Sequence, residues 1–121
     1  MPIQKVLIVD DSPTERHALG EMLRANGYQV VTAETGEEGL EKAKQNNPDL
    51  VLMDVVMPGL NGFQATRMLT KDVATKNIPV ILCTTKSQDT DKIWGLRQGA
   101  CAYVTKPIDH AALLRQIAEL P

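Results

Sequence analysis

The amino-acid sequence predicts a doubly wound α/β domain with a parallel sheet, and three observations carry that reading. Five short apolar runs, KVLIVDD, YQVVTAE, DLVLMDV, IPVILCTT and CAYVTKP, alternate with stretches whose apolar residues recur at helical spacing, such as Leu19, Met22 and Leu23 or Leu113, Leu114 and Ile117. The runs are nearly all apolar rather than alternating, as strands covered on both faces should be, and strand-helix alternation calls for parallel strands joined by right-handed crossovers. Finally, 121 residues with 43% hydrophobic content suit one domain with a real core.

Taken in order, the first strand runs into Asp10 and Asp11. SPTE then offers Ser12 as N-cap, Pro13 at the first helical position and Glu15 as the reciprocal partner of the cap. Gly27 stands where that helix should end. After the second strand, TGEE starts the second helix with Thr35 and Glu38 in the same roles. The third strand ends in Asp54, and VMPGLNG follows it. The fourth ends in Thr84 and Thr85, with Ser87 expected to cap a helix that carries Trp94 and stops at Gly99. Trp94 suits a half-buried place against the sheet about as well as a partner contact. The fifth strand ends in Thr105 and Lys106, and Asp109 is expected to cap the last helix.

Composition narrows the function. A net charge of −2, with 13 basic and 15 acidic residues scattered along the chain, provides no basic block to track a phosphate backbone, so no direct nucleic-acid binding is expected. No apolar run approaches the roughly 20 residues of a membrane span, and the start MPIQKVLIVDD lacks a signal-peptide pattern. A cytoplasmic location without membrane insertion is the expectation. Cys83 and Cys101 match no metal spacing and are expected as reduced thiols in or near the core. His17 and His110 are expected to face water. Nothing resembles a linker or repeat, so a single domain over 1–121, with no room for an output domain, is expected.

The polar residues of interest all fall at carboxyl ends of strands: Asp10 and Asp11, Asp54, Thr84 and Thr85, Thr105 and Lys106. In an open α/β sheet those ends share one edge, and ligands bind there at the point where strand order reverses. If the first strand is central and the third its neighbour, three carboxylates meet. Two carboxylates about 4 Å apart repel by roughly 4 kcal/mol at an effective dielectric near 20, so such a cluster requires cations. Lys106 supplies one charge, and a hard divalent ion such as Mg²⁺ suits the all-oxygen donor set. A carboxylate so placed can act as a nucleophile toward phosphorus. Each piece alone is weak, since an acidic pair after a strand is usually a solvated loop and a Lys-Pro pair usually a turn. Their order along one short chain is the strong signal.

VDD at 9–11, MDVVMPGLNG at 53–62, the threonine of VILCTT and GACAYVTKP at 99–107 together resemble the response-regulator receiver domains of two-component signalling, the family of small chemotaxis regulators. The resemblance spans essentially the whole chain. It implies a flavodoxin-like (βα)5 fold with strand order 2-1-3-4-5. It also implies Asp54 as phospho-acceptor, Asp11 as a direct Mg²⁺ ligand, Asp10 as companion acid and the Val56 backbone carbonyl as the remaining protein ligand. Thr84 would bond a phosphoryl oxygen, Lys106 would pair with another, Thr84 and Tyr103 would form the switch, and the Lys106–Pro107 peptide would be cis. The implied partners are a histidine kinase of the chemosensory type and a downstream protein target, met through the face of the fourth helix, fifth strand and fifth helix, with the regulator itself a monomer. VVMPGLNGFQATR and TKSQDTDKIWGLRQGA are further similar to single-domain regulators of twitching motility. Chemistry beyond self-catalysed phosphoryl acceptance and slow autodephosphorylation is not expected.

Other functions fit less well. A haloacid-dehalogenase-like phosphatase wants a second aspartate two residues after the first, where this chain has Val56. A flavodoxin-like electron carrier wants hydroxyls and amides in its first turn, whereas DDSPTER presents carboxylates that repel a phosphate. A degenerate receiver acting only as an interaction module would normally lose part of the acid-threonine-lysine set. A phosphate sink remains the alternative to an output regulator.

Overall fold

A computed structural model of the chain describes residues 2–120. Five parallel strands, β1 (Lys5–Val9), β2 (Gln29–Ala33), β3 (Leu50–Met53), β4 (Val80–Thr84) and β5 (Ala102–Thr105), form one sheet in the order β2-β1-β3-β4-β5. Five helices follow them in turn: α1 (Pro13–Ala25), α2 (Gly36–Asn46), α3 (Gly62–Lys71), α4 (Asp89–Arg97) and α5 (His110–Ala118). The doubly wound fold is as the sequence predicts, and the strand order is the one the receiver resemblance implies.

Alternation along the strands builds two cores. Leu7, Val9, Val51, Met53, Val80 and Leu82 face α2 and α3, where Ala43, Ala65 and Leu69 cover them. Val6, Ile8, Leu50, Leu52, Ile81 and Cys83 face the other way, under Leu19 and Leu23 of α1 and Leu113 and Ile117 of α5. Each fully buried Leu or Ile contributes about 1.5–3 kcal/mol of transfer free energy, so the central strands are held by packing on both sides.

The helix starts follow the sequence at most positions. Ser12, Thr35 and Asp109 accept amides of the first turns of α1, α2 and α5. Asn61 and Gln64 form a full capping box at α3, unanticipated from the sequence. At α4 the expectation fails: Gln88, not Ser87, stands at the cap position, and no side chain bonds the free amides. The helix starts one residue beyond Ser87's reach, and Asp89 and Asp91 face its positive end instead. Gly27 and Gly99 take φ of 90° and 108° as helix terminators.

Two further expectations meet the structure differently. Cys83 is buried, and its burial pushes the thiol up to about 12. Cys101, expected in or near the core, is exposed, because it lies just before the edge strand β5, where no second strand flanks it. His17 and His110 are exposed, as expected. Trp94 is 50% exposed and, with Ile93 and Leu96, leaves α4 with an apolar outer surface. Only Gly95 of this helix is buried, pressed on Leu82 and Tyr103.

Candidate functional site

The sheet register brings the polar residues together. Asp10 follows β1 and its amide donates to the Ala33 carbonyl of β2, while the Asp54 amide donates to the Val9 carbonyl at 2.9 Å. The two aspartates therefore leave adjacent strands side by side at the point where strand order reverses. Thr84 closes β4, fully buried, and pairs in register with Thr105. The Lys106 amide then donates to the Thr84 carbonyl at 2.8 Å, which turns the lysine over the same edge. The Lys106–Pro107 peptide is cis. Gly62 is needed beneath Asp54: a Cβ there would stand 2.1 Å from the Asp54 carbonyl oxygen.

The Lys106 ammonium is the hub. It donates to Asp10 Oδ2 at 2.9 Å, lies 3.6 Å from Asp54 Oδ2 and makes a very close contact with Glu15 Oε2. Asp10 is 2% and Asp54 7% exposed. Each aspartate is further tied to backbone, Asp10 Oδ1 accepting from the Ser12 amide and Asp54 Oδ1 from the Val55 amide. Arg16 donates to the Asp10 carbonyl and to Glu34, bracing this turn from outside.

The electrostatics follow from this packing. Burial, with the Asp10 charge adding to it, raises the Asp54 carboxyl to about 6 against the pull of Lys106. Burial acts against the charge on Lys106, but its bonds to Glu15 and Asp10 and the field of Asp54 outweigh it and hold the ammonium above its ordinary range. One cation thus faces three carboxylates. Carboxylate oxygens of Asp10, Glu15 and Asp54 all lie within 4.8 Å of one another, an excess of negative charge at this strand end that a hard divalent ion held by Asp10 and Asp54 would offset.

The structure does not distribute the sequence-derived residues evenly. Asp10, Asp54, Thr84 and Lys106 converge. Asp11 is exposed at the rim of the same strand end and outside the three converging carboxylates. Glu15, read from sequence as a capping residue, belongs to the site instead. Its backbone amide does donate to Ser12 Oγ, but the reciprocal bond is missing because Asp10 holds the Ser12 amide. Tyr103 is partly buried, and its hydroxyl donates to the Lys86 carbonyl. Val56, 57% exposed, lines a cavity of about 480 Å³ with Val55, Phe63, Lys86, Asp91 and Trp94.

An acid cluster with a lysine and a buried threonine at the reversal point of a 2-1-3-4-5 sheet defines a receiver-type site. Residues 6–118 match the family model described as response regulator receiver domain, and the chain belongs to that family. It is 61% identical to the protein PilH of Pseudomonas aeruginosa over 113 residues, 93% of either chain. It is 40% identical to the response regulator PleD of Caulobacter vibrioides over 116 residues, which are 96% of this chain and 26% of that one. Among solved structures, chemotaxis protein CheY4 of Vibrio cholerae matches with a TM-score of 0.89 at 33% identity, covering 95% of this chain and 96% of that one. No helix among the described residues is long and apolar enough to cross a membrane.

Proposed function

We propose that this receiver domain accepts a phosphoryl group from a histidine kinase on Asp54 and thereby switches the face of α4, β5 and α5 toward a downstream protein. The observation that supports it most directly is the placement of the buried Asp54 carboxylate beside Asp10, Lys106 and Thr84 at the strand-order reversal. In this reaction an Asp54 oxygen forms the new bond to phosphorus, and the bond from phosphorus to the donor imidazole breaks. Lys106 pairs with one phosphoryl oxygen and the Thr84 hydroxyl donates to another, both held by strand ends before the donor arrives. Mg²⁺, held by Asp54, Asp10, Asp11 and the Val56 carbonyl, would neutralise phosphoryl charge when bound. The chain is a self-modifying switch rather than a turnover enzyme. A cytoplasmic, monomeric regulator serving a chemosensory kinase goes with this reading, and the likeness to PilH supports a role in twitching motility. Retention of acid, threonine and lysine together favours phosphoryl acceptance over a role in binding alone.

The test is incubation with Mg²⁺ and acetyl phosphate followed by mass spectrometry. One phosphoryl group on Asp54, absent in Asp54→Asn, is the expected result. A stable phosphoryl group gained by Asp54→Asn at a comparable rate would refute it.

A further inference from the structure

Of the groups touching Lys106, Glu15 is the one that the proposed transfer does not use. A glutamate three residues after an N-cap ordinarily returns its carboxylate to the cap amide. Here the Ser12 amide donates to Asp10 Oδ1 at 2.9 Å, and Glu15 crosses the crevice to Lys106 instead. An ammonium has three donors. Asp10 and Glu15 each take one, while Asp54 stays at 3.6 Å. The three acids differ in how readily they can let go. Asp10 and Asp54 are buried, whereas the Glu15 side chain is 44% exposed and can turn into water with little loss of solvation.

We propose that Glu15 is a positioning residue that occupies, in the unphosphorylated protein, the Lys106 donor later taken by a phosphoryl oxygen on Asp54, and that it is displaced to solvent when that oxygen arrives. The proposal rests on Asp54 being the acceptor. Glu15 competes with the phosphoryl group for the lysine, which Asp10 still holds in the crevice at 2.9 Å when Glu15 leaves. Its departure also changes a second surface. Together with Ala18, Leu19, Pro107 and Ile108 it lines a cavity of about 220 Å³ between α1 and the β5–α5 connection, so the state of Asp54 is written on the outside of the molecule there.

The experiment uses the full chain in saturating Mg²⁺ with two probes, acetyl phosphate at subsaturating concentration and beryllofluoride. Loss of one competing charged hydrogen bond in Glu15→Gln should raise both the phosphorylation rate and the beryllofluoride affinity by about tenfold, and Glu15→Ala should do the same. The gain should persist in 1 M salt, where a Debye length of roughly 3 Å screens general charge repulsion but not direct competition for the lysine. Unchanged affinity in both variants makes Glu15 a bystander, weaker affinity makes it a supporting ligand, and a gain abolished by salt reduces it to bulk charge; each overturns the proposal. Asp54→Asn separates the two levels. Phosphoryl label persisting in that variant removes the acceptor and the proposal together, whereas Asp54-specific label with an indifferent Glu15→Gln removes only the role of Glu15.

Discussion

The Tyr103 hydroxyl donates to the Lys86 carbonyl at 2.6 Å, tying edge strand β5 to the connection that enters α4. The same connection is tied at its other end, where the Lys86 amide donates to Thr84 Oγ1 at 3.3 Å. Thr84, Lys86 and Tyr103 thus form one chain of contacts from the buried end of β4 to the outer face. In the proposed reaction, a phosphoryl oxygen that attracts the Thr84 hydroxyl would disturb the Lys86 amide bond first. The uncapped start of α4 is the element best able to respond, because no side chain secures its amides.

Tyr103→Phe removes the hydroxyl and leaves the ring against Gly95. Hydrogen exchange of the Lys86 amide and of the first hydrogen-bonded α4 amides, from Lys92 onward, should accelerate severalfold in the unphosphorylated protein, since one hydrogen bond of about 1 kcal/mol is lost from the connection that holds them. Phosphorylation of Asp54 should stay within about twofold of the parent, because Tyr103 touches none of the carboxylates. A phosphorylation rate that falls tenfold with unchanged exchange would show that Tyr103 serves the chemistry rather than the switch.

The raised Asp54 carboxyl makes stability depend on pH in a definite sense. Its folded value of about 6 lies above the ordinary 3.8, so the folded state binds the proton more tightly. The associated stability is present below about pH 4 and is lost as pH rises to about 6. Above that, keeping the buried carboxylate ionised costs on the order of 3 kcal/mol at 1.36 kcal/mol per unit. Urea unfolding in EDTA should therefore find Asp54→Asn more stable than the parent near pH 7, by on the order of 2–3 kcal/mol, with the gap closing toward pH 4. Added Mg²⁺ should stabilise the parent by about 2.7 kcal/mol at a hundredfold excess over its dissociation constant, and the variant far less. A gap independent of pH rules out Asp54 as its source.

Gly62 and Gly27 separate contact from conformation. At Gly62 a Cβ would meet the Asp54 carbonyl oxygen at 2.1 Å and Val55 Cα at 2.7 Å, both backbone atoms that cannot swing aside. Gly62→Ala should cost about 1–3 kcal/mol by overpacking, even after any gain in helix propensity, and should slow phosphorylation by moving the strand end that carries Asp54. Gly27 has φ of 90° but open space around its Cβ position. Gly27→Ala should cost only about 1 kcal/mol of backbone strain and leave phosphorylation intact. Thermal melts with parallel phosphorylation assays distinguish the two, and equal effects on phosphorylation would refute the close approach of α3 as what places Asp54.

What was legible in the sequence follows the range of the forces involved. Strands buried on both faces must be short and apolar, so β1, β3 and β4 announced themselves, and Asp54 was conspicuous as a carboxylate closing such a run. Lys106 and Thr84 were legible for the same reason. Glu15 was not, because its spacing from Ser12 describes a local capping box; the Asp10 side chain takes the Ser12 amide through a two-residue turn instead, and only the assembled sheet edge brings Lys106, 91 residues away, within reach of the freed Glu15. Ser87 misled because a cap is decided by where a helix turns, and α4, with one buried residue, has little packing to fix its start. The exposure of Cys101 depends on β5 being an edge strand, a property of the assembled sheet that an apolar run does not encode.

The lifetime of the phosphoryl group should be set beside Asp54 by Val56 and Lys86, each two residues beyond a site residue. Hydrolysis needs a water in line with phosphorus and opposite the aspartyl oxygen. The cavity lined by Val55, Val56, Lys86 and Asp91 begins at the residue after Asp54, and it is the approach proposed for that water. Val56 cannot hydrogen-bond, and Lys86 is a donor only, so neither can orient the water or take its proton. Val56→Asn with Lys86→Glu supplies both functions and should speed the decay of phosphorylated protein about tenfold, a barrier change of about 1.4 kcal/mol. The structure adds an opposite arm. Lys86 Nζ lies 3.8 Å from Asp91 Oδ1, a partly exposed pair of the kind worth only about 0–1 kcal/mol. Asp91→Asn frees the ammonium to hold a phosphoryl oxygen, so it should slow decay, by at most about fivefold if the whole pair energy of about 1 kcal/mol is redirected. Both rates are read after donor removal in Mg²⁺, with the phosphoryl group confirmed on Asp54. Decay that is no faster in the double variant places the limit elsewhere, and faster decay in Asp91→Asn would show that Lys86 does not reach the phosphoryl group.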